Sequence, residues 1–377
     1  MPKREKKSPS LSMTALAMCF ISLFAFLGST YCTKAMSYTA LVSASLNSPK
    51  SALAALMYSE HSAQSAVNEA GNEIEVSKKE IKLVSASDSV YKTPDDILLM
   101  QEEFKAVYGE AEHDGEIVDK QYTAANATST FGNIAVRNTT PSHSINIESS
   151  LNAPLELHIT DKSKPTVLIY HTHTTEAYEM LDEGWFTNSW STRSKDPTIN
   201  MVRVGDAICE ELEKQGIGVI HDVEIHDLKY TGAYDHSRAA ITKIIEENPT
   251  IQISIDVHRD AIHNSDVKRT KPVAEINGKK AAQVMIIAGC EDGRVEHFEG
   301  WEKNLTFDLR FQQTAETMFP TLMRPVLFSG RKYNMDLLPC SALFEFGSDS
   351  NTLAEAEYSG RLIGQALAEF INENTGG

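Results

Sequence analysis

The segment Thr166-Val-Leu-Ile-Tyr-His-Thr-His-Thr-Thr-Glu-Ala-Tyr178 constrains the fold of this chain more than any other. An apolar run of strand length stops abruptly in two histidines and a carboxylate. Two later runs end in the same manner, Ile253-Ser-Ile-Asp-Val-His258-Arg-Asp260 and Ala342-Leu-Phe-Glu345-Phe-Gly347. Strands this apolar belong in a sheet covered by helices, and the intervening pattern supplies them. A helical stripe runs from Asn200 to Gln215 through Met201, Val204, Ile208 and Leu212 and stops at Gly216. A second carries Ile241, Ile244 and Ile245 up to Asn248-Pro249, a third spans about 300–318, and a closing one about 352–370. Strands are predicted at 217–220, 284–288 and 326–328 as well. Alternation of this kind specifies an α/β layer fold with a mainly parallel twisted sheet and flanking helices. Ligands of such sheets sit beyond the carboxyl ends of the strands, where all three motifs fall.

Residues 33–150 read differently, being rich in Ala, Ser, Thr, Asn and Glu. A short helical pattern around Asp95–Tyr108 places Ile97, Leu98, Met100, Phe104 and Val107, and linker-like runs follow at 124–130 and 138–144. This region is expected to be a spacer without chemistry of its own. Before it, Lys3, Arg4, Lys6 and Lys7 precede an almost charge-free stretch from Leu11 to Tyr31. That length suits a single membrane-crossing helix, and the basic flank keeps the N-terminus cytoplasmic. A cleaved signal peptide, with small residues at Ser43-Ala44-Ser45, is the alternative. The expected organisation is a basic tail (1–10), a transmembrane anchor (11–31), an extracytoplasmic spacer (32–150) and a catalytic domain (151–377).

The formal charge of −17 disfavours nucleic acid as a partner and requires any polyanionic substrate to be caught by a local site rather than by the overall field. Five cysteines show no paired spacing and are expected to be free thiols, buried where they fall in apolar patterns. There is no Gly-rich phosphate loop and no GxSxG turn.

The strand ends offer the ligands that zinc accepts. His173 and Glu176 lie three residues apart and can face one way from a single turn, and His258 supplies a third donor. Glu345, alone among Ala, Leu and Phe, is costly to bury without a purpose and is the candidate general base. His171 competes with His173 as ligand, and Asp196 with Glu176. Arg259 is a candidate for substrate contact or for a structural ion pair. His221, Asp222, His226, Asp227 and His236 could line the cleft, a solvated polar loop being the plainer expectation.

These residues carry a resemblance. Leu168-Ile-Tyr-His-Thr-His-Thr-Thr-Glu-Ala-Tyr178, Asn200-Met-Val-Arg-Val-Gly205, Ile255-Asp-Val-His-Arg-Asp-Ala261, and Glu345-Phe-Gly with Asn351-Thr-Leu-Ala-Glu-Ala resemble the stage II sporulation protein P family of endospore-forming bacteria. The resemblance implies a membrane-anchored peptidoglycan hydrolase acting in forespore engulfment, on the septal and engulfing membrane of the mother cell. It further implies an N-acetylmuramoyl-L-alanine amidase with a zinc-dependent, phosphorylase/hydrolase-like fold, and possible cleavage of peptide cross-links. It implies sporulation proteins D and M as partners, His173, Glu176 and His258 as zinc ligands, and Glu345 as base. Two other readings compete: a zinc peptidase on stem peptides alone, and a non-catalytic wall-binding scaffold.

Overall fold

The computed structural model describes residues 91–375, which fall within one compact unit, Ala86–Gly377. In chain order the elements are α1 (Asp95–Tyr108), β1 (Gly115–Lys120), β2 (Ser129–Phe131), β3 (Ile134–Asn138), α2 (Ile147–Asn152), β4 (Pro165–Tyr170) and β5 (Trp185–Phe186). Then come α3 (Met201–Lys214), β6 (Gly218–His221), α4 (Ala233–Glu247), β7 (Ile253–Asp260), β8 (His263–Ser265), β9 (Lys268–Ile276), β10 (Lys279–Ala282) and β11 (Val284–Gly289). The chain closes with α5 (Trp301–Met318), β12 (Val326–Ser329), β13 (Cys340–Ser348) and α6 (Leu353–Asn374).

The main sheet runs β2-β3-β12-β11-β13-β7-β4-β6. Its pairings are parallel except at β2–β3 and β11–β13. Successive side chains alternate across a strand, so each strand feeds two faces. One face carries Val167, Ile169, Ile253, Ile255, Val257, Ile286, Phe344 and Phe346 into the large core beneath α3, α5 and α6, with Val204, Ile208, Phe307, Phe311, Leu362 and Phe370. The other face is more thinly covered. Leu168 and Tyr170 pack under Ile241 of α4, and Met285, Ile287 and Leu343 form a small cluster against Leu327 and Tyr333. Toward the carboxyl ends of β7 and β13 this second face gives way to His258 and Glu345.

A second sheet of five strands, β10-β9-β1-β5 with β8 on β9, was not foreseen from the sequence. Nor is the stretch before 151 a detached spacer from residue 91 onward. β1 pairs in parallel with β9, β3 pairs in parallel with β12, and Ile97, Phe104, Ile134, Val136 and Ile147 are buried in the main core. The helix expected at 95–108 forms, yet only Ile97 and Phe104 of its apolar residues are buried, and Leu98 and Val107 stay exposed. The three described cysteines, Cys209, Cys290 and Cys340, are buried free thiols as expected. Among the described residues no helix is long and apolar enough to cross a membrane; the anchor expected at 11–31 lies outside them.

Candidate active site

The parallel pairing of β7 with β13 sets His258 directly beside Glu345, which puts both side chains on the thinly covered face. Past Glu345 the strand kinks. Gly347 has φ of +65°, and a Cβ there would strike Asn351, so only glycine fits. Asn351 accepts a hydrogen bond from Ser348 N at 2.9 Å, and Thr352 and Glu355 cap α6 reciprocally. The Asn351-Thr-Leu-Ala-Glu motif is thus the buttress of the strand that presents Glu345.

The loop after β4 delivers the other groups. Glu176 N donates to His173 O at 3.0 Å, the single turn expected from their spacing. His258 Nδ1 then lies 3.4 Å from Glu176 Oε2, and the rings of His173 and His258 meet edge to face with centroids 5.3 Å apart. Residues some 80 positions apart in sequence therefore converge. Two threonines of the same loop hold a further layer of carboxylates. Thr172 donates through N and Oγ1 to buried Asp256 at 2.8 and 2.7 Å, and Thr175 does likewise to Asp227 at 3.1 and 2.6 Å. Asp256 Oδ1 stands 2.8 Å from His258 Nε2 as an ion pair, without the alignment of a hydrogen bond; Asp227 stands 3.9 Å from His173 Nδ1.

These surroundings set the protonation states. Burial opposes ionisation of Glu176, but the His258 contact, Arg259 and His173 outweigh it and hold the carboxyl at about 2. Burial, followed by the neighbouring His258, keeps His173 below the ordinary histidine value. Burial also works against protonated His258, yet Asp256 and Glu176 together raise it well above that value. Glu345 is pushed up to about 8, by burial first and against the pull of His258. Its side chain is partly accessible while Oε2 is shut off and has no hydrogen-bond partner.

The remaining candidates are placed elsewhere or otherwise engaged. His171 is fully buried, with Nδ1 donating to Val257 O at 3.1 Å and Nε2 2.8 Å from His221 Nε2. Asp196 is exposed and accepts from Thr198 N and Oγ1 at 2.9 and 2.7 Å. The guanidinium of Arg259 donates to the carbonyls of Ala177, Thr192 and Asp260, and its backbone N donates to Glu176 Oε2 at 3.2 Å. It pins the loop rather than facing a cleft. His226 pairs with Asp222 at 2.9 Å, and His236 donates to His226 O at 3.2 Å.

Three tyrosines that the sequence reading passed over roof the site. Tyr230, 68% exposed, lies flat on His173 at 4.6 Å, with the guanidinium of Arg193 5.6 Å from its ring. Arg193 also reaches Asp227 at 3.0 Å and Glu176 at 3.7 Å. Tyr234 parallels His258 at 6.4 Å and stacks on Tyr333 at 5.0 Å. Among the described residues no three His, Cys, Asp or Glu side chains stand in a metal-holding arrangement, and His258 contacts Glu176 and Asp256.

Two imidazoles, a carboxylate held ionised and a carboxyl of raised affinity for protons thus meet at the carboxyl ends of strands in an α/β sheet. The chain belongs to the stage II sporulation protein P family, whose model matches residues 52–368. It is 30% identical over 223 residues to stage II sporulation protein P of Bacillus subtilis (strain 168), covering 56% of this chain and 52% of that protein. The match thus spans about half the length of that relative. Among solved structures it is similar to the N-acetylmuramoyl-L-alanine amidase AmiC2 of Nostoc punctiforme, with TM-score 0.34 and 13% identity over 56% of this chain and 96% of that one. An N-acetylmuramoyl-L-alanine amidase from Clostridium difficile 630 gives TM-score 0.34 and 13% identity, over 57% of this chain and 100% of that one. Similarity at this level carries no argument about activity.

Proposed function

We propose that this chain is a zinc-dependent peptidoglycan hydrolase of sporulation, an N-acetylmuramoyl-L-alanine amidase that cuts between muramic acid and the stem peptide. The observation that carries the reading is the meeting of His258 with Glu176 at 3.4 Å and, across the β7–β13 pairing, with Glu345. The donor set fits zinc: His173 and His258 supply nitrogen, and Glu176 is kept anionic by its neighbours. Buried His173 Nδ1 and Glu345 Oε2 have no hydrogen-bond partner, which suits a metal ligand and a proton acceptor. Bound there, zinc supplies Lewis acidity toward the amide carbonyl.

The protein's own part is proton transfer and orientation. Burial raises the affinity of the Glu345 carboxyl for protons, the direction that suits a group which accepts a proton and returns it. Glu345 takes a proton from the attacking water as its oxygen bonds to the carbonyl carbon, and returns it to the departing amine nitrogen as the C–N bond breaks. Asp256 and Asp227, fixed by Thr172 and Thr175, place negative charge beside the two histidines. The roof of Tyr230, Tyr234 and Tyr333 limits access of bulk water. Anchorage in the mother-cell membrane through residues 11–31, and assembly with sporulation proteins D and M, complete the proposal.

The compact unit 86–377, loaded with zinc, is expected to solubilise purified cell wall. Glu345→Gln should lower that rate by about 10²–10⁴-fold, the usual share of a general acid–base group. Mass analysis of the fragments separates the muramoyl amide bond from peptide cross-links. Undiminished turnover by Glu345→Gln would refute its role.

A further inference from the structure

We propose that Arg331 and Tyr333 form the subsite that takes a free carboxylate of the stem peptide, so that acidic stems are preferred to amidated ones. The inference rests on the amidase reading above. It starts from a charge mismatch: a chain of net charge −17 repels an anionic polymer at long range, so a cationic group at the site must make the capture. Arg193 and Arg324 are already paired, with Asp227 and Asp260, each at 3.0 Å. Arg331 is exposed, has no acidic partner among the described residues, and holds its guanidinium 5.7 Å from the ring of Tyr333.

The position of that ring is set by the sheet. Tyr333 packs on Met285, Ile287 and Leu343. Leu343 and Glu345 share one face of β13, and Met285 lies opposite Glu345 across the β11–β13 pairing. Tyr333 also stacks on Tyr234, which parallels His258. Tyr333 therefore lies on the Glu345 side of the site, with the Arg331 guanidinium 5.7 Å from its ring.

The backbone that achieves this is strained. Tyr333 and Asn334 have φ of +45° and +61°, a left-handed conformation that a bulky residue rarely adopts. It is locked from below. Arg238 grips Asp336 with two bonds of 2.7 and 2.8 Å, and Asn334 Nδ2 donates to Ser237 Oγ at 3.1 Å. Glycine would take the conformation freely; here a tyrosine is held in it and presents an aromatic face with an arginine above. A planar guanidinium fork matches a carboxylate in two-point contact and has no such match with a primary amide. In a stem peptide the residue following the first L-alanine is a glutamyl unit whose α-carboxyl is either free or amidated, one residue from the scissile bond.

The test uses full-length protein in detergent and a pair of muramoyl tripeptides that differ only in that carboxyl. Affinity is measured calorimetrically on Glu345→Gln protein, which holds ligand without consuming it, and turnover on the unaltered chain. The acid is expected to bind about tenfold more tightly than the amide, the size of one charge-assisted contact. Arg331→Gln should bring the ratio to about one, and Arg331→Lys should keep part of it. Arg137→Gln, an exposed arginine on β3, should leave it as it was. Equal affinity for the two ligands in protein with Arg331 intact, or a preference that survives Arg331→Gln, would overturn the inference whether or not turnover is seen. Absence of turnover by the unaltered chain on either ligand would instead overturn the amidase reading.

Discussion

A fragment that begins at residue 151, the boundary expected from composition, should not fold. The segment it lacks contributes Ile97, Phe104, Ile117, Ile134, Val136 and Ile147 as buried side chains. Each such burial is worth about 1.5–3 kcal/mol, and the surfaces these residues cover on the remainder are of comparable area. Their exposure costs the remainder on the order of 10 kcal/mol, as much as the whole stability of a typical domain. The cut also strips β3 from β12 and β1 from β9, leaving unpaired edges that invite association. The assay compares fragments 86–377 and 151–377 by size-exclusion chromatography and urea unfolding. The longer one is expected to be monodisperse with a cooperative transition, the shorter one aggregated or without a transition. A monomeric 151–377 fragment with the same midpoint would refute the reasoning, and the docking of the N-terminal strands with it.

Asp308 of α5 is fully buried with neither oxygen bonded, and burial alone drives its carboxyl far above the ordinary carboxylate range. Between the unfolded and folded values the folded chain holds the extra proton, so stability falls as pH rises, by about 1.4 kcal/mol per unit. Asp308→Asn should remove that fall, so the variant gains stability relative to the parent as pH rises above the ordinary carboxylate range in urea titrations; parallel pH profiles would contradict this. At Gly205 a Cβ would stand 2.7 Å from His171 Nε2 and against His221. Gly205→Ala should therefore cost about 1–3 kcal/mol from overpacking despite its better helix propensity, and should reduce hydrolysis. An unchanged melting temperature would refute that packing.

What was legible in the sequence was whatever carried chemical contrast. β4, β7 and β13 are apolar runs broken by His or Glu, and the amphipathic pattern of α3 follows from a stripe with one wet side. The second sheet was hidden because β9, Lys-Arg-Thr-Lys-Pro-Val-Ala-Glu-Ile, is charged at its start and interrupted by proline. One signal could have found it: Asn277-Gly278 links β9 to β10 as a two-residue hairpin with both φ positive, at +50° and +76°. The threonines of His171-Thr-His-Thr-Thr175 were quoted without a role, and only the fold reveals that Thr172 and Thr175 hold Asp256 and Asp227. Arg193, Tyr230 and Tyr333 come from loops without periodicity, so nothing local marks them as neighbours of His173 and Glu345. The choices between His171 and His173, and between Glu176 and Asp196, depend on where side chains point, which spacing leaves open.

Zinc binding by the unit 86–377 and its single-site variants, followed by metal titration and X-ray absorption, tests the central claim most directly. The account predicts one zinc per chain in a nitrogen and oxygen environment, with affinity lowered by about 100-fold or more when His173, Glu176 or His258 becomes alanine, and retained in Glu345→Gln. Zinc that stays bound after loss of His258, or a folded protein that takes up none, would contradict it.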